Sequence, residues 1–174
     1  MSDIYDKVTG EQDAVTKIFA KIPGFQGYVE RSERRRSDKL LREQVVNTFE
    51  PLYQRISGLQ RQLISQGGLA YIDELEAAAI KLRQFIDRVR TASYGYAGIF
   101  DAVKIKEDDL AQVYQFDLQL LTLAETVDRA IGNVEMSIGT EGLPAALQNL
   151  ITTAQECLDT FNKRSEVLKG IAAS

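Results

Sequence analysis

Histidine is missing from all 174 residues, cysteine occurs once and proline three times. Histidine exchanges protons most readily near neutral pH and is the commonest metal ligand, so its absence removes many catalytic and metal-binding classes. Di-iron helical bundles need a Glu-x-x-His pair, which cannot be built here, and no other metal or cofactor is expected. The lone Cys157 has no internal disulfide partner and no histidine to activate it, so a buried structural thiol is expected. The serines equally lack a histidine base. No apolar stretch approaches the roughly 20 residues needed to cross a bilayer. The first residues show no basic start followed by an apolar core, which with the single cysteine predicts a cytoplasmic setting. Phosphate-loop spacing is absent, and Gly95 and Gly98 do not form a dinucleotide fingerprint.

What is present is hydrophobic periodicity. The chain is 44% hydrophobic and 26% charged with net charge −4, a balance that suits a helical domain and argues against a globally basic nucleic-acid binder. Ile4, Val8, Val15, Ile18 and Ile22 predict a short N-terminal helix over residues 1–22, stopped by Pro23 and Gly24. A second helix, to about Gln66, places Leu41, Val45, Phe49, Leu52, Ile56, Leu59 and Leu63 at steps of three and four. Pro51 inside it predicts a kink near Asn47 to Glu50, or two abutting helices.

Gly67 and Gly68 separate a third helix, about Leu69 to Tyr94, whose seam runs Ile72, Leu75, Ala79, Leu82, Ile86 and Val89. A fourth, about Glu107 to Ile138, opens with three acids that suit the positive end of its dipole. Its seam runs Leu110, Val113, Asp117, Leu120, Ala124, Val127, Ile131, Val134 and Ile138. After a turn at Gly139 to Gly142, Pro144 fits the start of a fifth helix carrying Leu147, Ile151, Ala154, Leu158, Phe161, Leu168 and Ala172. The expectation is an all-α single domain over residues 1–174. Residues 29–170 form an antiparallel up-down-up-down four-helix bundle of long helices, with the short N-terminal helix added.

That topology gathers the unusual sequence at one end: the aromatic loop from Pro23 to Tyr28, the run to Arg36, and the connection from Tyr94 to Lys106. Glu30, Arg34, Asp38 and Arg42 read first as a solvated ladder of helix-surface pairs. Arg31, Arg35 and Arg36 are left over from it. Arg34 and Asp38 also continue the line that turns apolar at Leu41, so they either project beyond the bundle or meet another polar surface. Asp117 is the one charge in its seam and needs a buried partner, with Arg42 and Arg83 at about its level. Asp128 and Glu135 read as solvated.

The functional expectation is a non-enzymatic interaction or scaffold module. Its candidate contact surface is Phe25, Tyr28, Arg31, Arg34, Arg35, Arg36, Tyr94, Tyr96, Phe100 and Lys104, with Asp117 as the buried polar candidate. Tyr94, Tyr96 and Phe100 also admit the reading of a plug at the bundle's end. A protein partner is expected, with no small-molecule substrate identified. Alternatives are an anionic membrane surface and, third because of the net acidity, RNA or single-stranded DNA. The heptads also allow a homo-oligomer.

Overall fold

The structure, a computed structural model, describes residues 2–92 and 100–173, with side chains from residue 12 onward in the first helix. The described residues contain no strand and form five α-helices: α1 Ser2–Lys21, α2 Arg34–Ser65, α3 Ile72–Thr91, α4 Glu107–Ser137 and α5 Leu143–Ala173. No helix among them is long and apolar enough to cross a membrane.

The spacing rule succeeds along the middle of every long helix, where each turn presents a residue to the same core, and fails at two ends: Ile138 lies beyond its helix and Ala172 is exposed. On α2 the seven apolar positions from Leu41 to Leu63 are all buried, and the corresponding seams of α3, α4 and α5 meet them in one continuous cluster. At its centre Phe85 of α3 packs edge-on against Phe49 of α2 at 4.8 Å and Phe161 of α5 at 6.2 Å. Fully burying each large side chain stabilises the fold by about 1.5–3 kcal/mol relative to exposure.

Two starts lie later than the periodicity suggests. A 3-10 turn at Arg31–Glu33 precedes α2, and another at Leu69–Tyr71 precedes α3. Pro51 does not divide α2, which runs as one helix through it. The proline lies on the exposed side, while Phe49 and Leu52 beside it are held in the core on both flanks. Their burial offsets the one lost backbone hydrogen bond. Gly67, at φ +78°, ends α2, and the Gly68 N–H returns to the Leu63 carbonyl at 2.7 Å, closing the helix end.

Cross-helix pairs fix how neighbours run. Arg42 of α2 donates to the Val89 carbonyl of α3 while Arg83 of α3 bonds Glu50 of α2, so these two helices are antiparallel. Arg164 of α5 meets Asp117 of α4 across the pair joined by the Gly139 turn, which is antiparallel too. Lys81 pairs with Gln155 and Arg88 with Asn162, so α3 and α5 lie side by side in the same direction. Arg55 of α2 reaches Asp128 and Glu135 of α4. The main packing pairs are therefore α2 with α3 and α4, and α5 with α3 and α4; α1 packs on α4. The chain connecting α3 to α4 joins two helices that are not a main packing pair, which accounts for its length.

Candidate functional site

Three helices and one loop converge at the end where α2 and α4 begin and α5 finishes. After α1, the segment 22–28 lies against α4. Gly24 and Gly27 both adopt left-handed backbone, at φ +83° and +84°, and drive Ile22, Phe25 and Tyr28 inward. Gly27 is also sterically required: a β-carbon there would stand 2.6 Å from the Tyr114 hydroxyl. Phe19, Phe25, Tyr28 and Tyr114 follow one another as ring contacts of 5.3–5.6 Å.

Tyr28 is held on three sides. Its N–H donates to the Tyr114 hydroxyl at 2.8 Å, its carbonyl accepts from Arg34 Nε at 2.8 Å, and its hydroxyl donates to Asp117 Oδ2 at 2.6 Å. The other Asp117 oxygen accepts from Arg164 Nε at 2.5 Å. Arg164 Nη2 continues to Asp38 Oδ1 at 2.9 Å and to the Tyr28 hydroxyl at 3.2 Å. Asp38 Oδ2 then accepts from Arg42 Nε at 2.8 Å. The result is a chain of alternating charge, Asp117–Arg164–Asp38–Arg42, with two acids balancing two guanidinium groups. Its first three members are buried. Ionised groups are tolerated there because each charge has an opposite charge and directed hydrogen bonds.

Burial is nevertheless the largest influence on the Asp117 carboxyl and the Tyr28 hydroxyl. It pushes the Asp117 carboxyl up to about 6, against the lowering effects of Arg164 and the Tyr28 hydrogen bond. Burial, reinforced by the charge of Asp117, raises the Tyr28 hydroxyl well above its ordinary value. Loss of solvent likewise raises the Cys157 thiol to about 12, which keeps it a protonated core side chain.

Several expectations are corrected. The partner of Asp117 is Arg164; Arg42 is linked to it only through Asp38 and Arg164, and Arg83 pairs with Glu50 instead. Arg34 and Asp38 are not a solvated ladder, because both are buried. Arg34 fastens two loops together, donating to the carbonyls of Tyr28 and Val29 on one and of Ala102 on the other. This is the polar surface that the α2 line was expected to meet, since Ala102 belongs to the connection before α4. Phe25, Tyr28 and Phe100 are interior and not contact surface. Phe100 plugs the end beneath the Arg35 guanidinium, 5.0 Å from its ring centre. Tyr94 and Tyr96 lie outside the described residues.

What remains outward is charge and two valines. Arg31, Arg35, Arg36 and Lys104 are exposed, as are Val29 and Val103, adjacent to the carbonyls that Arg34 binds. Among the described residues no carboxylate lies within ion-pair distance of Arg31 or Arg35, whereas Arg36 is 4.0 Å from Glu33. Asp128 and Glu135 are exposed partners of Arg55.

Sequence reasoning passed over Arg164, although a signal existed. It stands three residues after Phe161 and four before Leu168, a charged residue in the α5 seam just as Asp117 is in that of α4. Among the described residues no group of three or more potential metal ligands comes together. No protein-family model, curated protein or solved structure matches the chain, so the reading of this site rests on its own geometry.

Proposed function

We propose that the protein is a non-enzymatic interaction module, an up-down-up-down four-helix bundle whose α2-start end docks an acidic surface of a protein partner in the cytoplasm. The carrying observation is the division of labour among neighbouring arginines. Arg34 turns inward and fastens the loops, while Arg31 and Arg35 face solvent with no carboxylate within ion-pair distance among the described residues, Glu30 and Asp101 lying in the same shallow pocket. Buried anchors beneath hold these cations on a rigid base, which lowers the ordering cost of binding. Val29 and Val103 supply the apolar contact that Phe25 and Tyr28 were expected to give. Asp117 supports a structural role over a catalytic one, since both its oxygens accept hydrogen bonds inside the protein.

The test is affinity capture from native lysate with wild type and the Arg31→Glu, Arg35→Glu, Arg36→Glu variant, both matched for melting temperature. Selective loss of a protein from the variant supports the reading, and identical captures refute it. One observation favours a second reading: exposed Val103, next to Lys104 in the chain, and exposed Val29 could enter the headgroup layer of an anionic membrane. That version predicts vesicle binding that fades between about 50 and 500 mM salt as screening shortens.

A further inference from the structure

From the geometry of the groove between α2 and α3, we infer a binding site for a phosphate group. The groove, of about 460 Å³, is lined by Arg35, Lys39, Arg42 and Arg90, with Phe100 and Val46 as its main apolar members. That volume falls in the range of small-molecule sites, about 300–1,000 Å³. The inference shares Arg35 with the partner-docking reading and otherwise stands apart from it.

Three of the cations come from a single helix face. Arg35, Lys39 and Arg42 are spaced four and three residues apart on α2, so their side chains emerge one above another. Like charges at that spacing repel, and the helix gains nothing from the arrangement by itself. Two carboxylates line the same groove. Asp38 is already bonded by both Arg164 and Arg42, and Glu43 stands 3.8 Å from Lys39. Four cations against two acids leave the lining positive; Arg90 is also paired with Glu50 at 2.8 Å and Asp87 at 3.9 Å, so Arg35, with no carboxylate within ion-pair distance among the described residues, carries most of the uncompensated charge.

Two of the cations, Arg42 and Arg90, are held by the protein's own acceptors before any ligand arrives. Arg42 commits Nε to Asp38 and Nη1 to the carbonyls of Val89 and Arg90, and its side chain is only 11% exposed. Among the described residues its Nη2 has no protein acceptor. Arg35 lies over the Phe100 ring with its guanidinium carbon 5.0 Å from the ring centre, a cation–π contact that restrains it beside the groove. Arg90, on the opposite wall, is braced by Glu50 at 2.8 Å. Planar, braced guanidinium groups with one flexible ammonium between them match the tetrahedral oxygens of a phosphate better than they match a single carboxylate. The chain's net charge of −4 works against an extended polyanion such as RNA and leaves a compact anion as the suited ligand.

The experiment titrates pyrophosphate and inorganic phosphate into the full chain at constant ionic strength, read by calorimetry and by melting temperature. Saturable binding is expected. It should weaken about tenfold or more in Arg35→Gln/Lys39→Gln, as expected for loss of charge-assisted bonds, and stay unchanged in Lys104→Gln. Both substituted groove positions are exposed, so the variant should retain the wild-type melting temperature without ligand. Competition by a phosphoserine peptide or by vesicles carrying phosphatidylinositol phosphate identifies the source. Binding of a tethered phosphate alone, still lost in the groove variant, also supports the site. Absence of binding to every probe, or equal binding by wild type and the groove variant, overturns it. The docking reading would survive such a failure if the arginine-dependent capture persisted.

Discussion

Replacing Arg164 with methionine should be among the most damaging single changes in this protein. The guanidinium neutralises Asp117 through Nε at 2.5 Å and Asp38 through Nη2 at 2.9 Å, and none of its side chain reaches solvent. Methionine fills similar space with no charge. Asp38 would keep Arg42, whereas Asp117 would keep only the Tyr28 hydroxyl and become an uncompensated buried acid. Breaking a buried pair from one side costs about 3–5 kcal/mol. For a chain of this length each kcal/mol corresponds to about 2–4 °C, so the melting temperature should fall by roughly 6–20 °C. Urea unfolding followed by circular dichroism reads the free energy directly. The double variant Arg164→Met/Asp117→Leu adds the decisive comparison, because an apolar pair replaces the ionic one and should recover much of the loss. A single variant within about 1 kcal/mol of wild type, or a double variant with strictly additive losses, would refute the ion-pair account.

Asp117→Asn should change the pH dependence of stability. With its folded carboxyl pushed up to about 6, wild-type Asp117 holds its proton at higher pH when folded than when unfolded, so its contribution is fully present below about pH 4 and is lost as pH rises through about 6. Wild type minus variant, measured by urea midpoints, should therefore show stability falling across that interval, and a flat difference would contradict the shift. Glu50 should behave oppositely: hydrogen bonds from Arg83 and Arg90 hold it low, so its contribution disappears on acidification, and Glu50→Gln should flatten that acid limb. Gly27→Ala should cost more than Gly139→Ala in thermal melts, about 2 kcal/mol or more against about 1. Both glycines have positive φ, but only Gly27 faces the Tyr114 hydroxyl. Cys157 should react with a thiol reagent only at the rate of unfolding, as stopped labelling at increasing urea would show.

The helices were legible because burial repeats with the helical turn: every long seam could be read from steps of three and four, and the glycine turns marked the boundaries beside them. Asp117 was legible as a charge on an apolar seam, and the same rule applied to Arg164 would have named its partner. The inward turn of Phe25 and Tyr28 was not legible. Two glycines at positive φ set it, and residue type permits but does not dictate that conformation. Arg34 was hidden for a related reason, since its spacing from Glu30 and Asp38 imitates an exposed ladder while its acceptors are loop carbonyls that periodicity does not register.

The central claim is that arginines at one end divide between an internal scaffold and an external contact surface. Its most direct test is site-specific photo-crosslinking in the native cell, with the reactive side chain placed at exposed Arg31 or, at the glycine-turn end, at exposed Gln62. Crosslinks to a discrete partner from position 31 and none from position 62 are predicted. Equal crosslinking from both positions, or crosslinking from position 62 alone, would contradict the account.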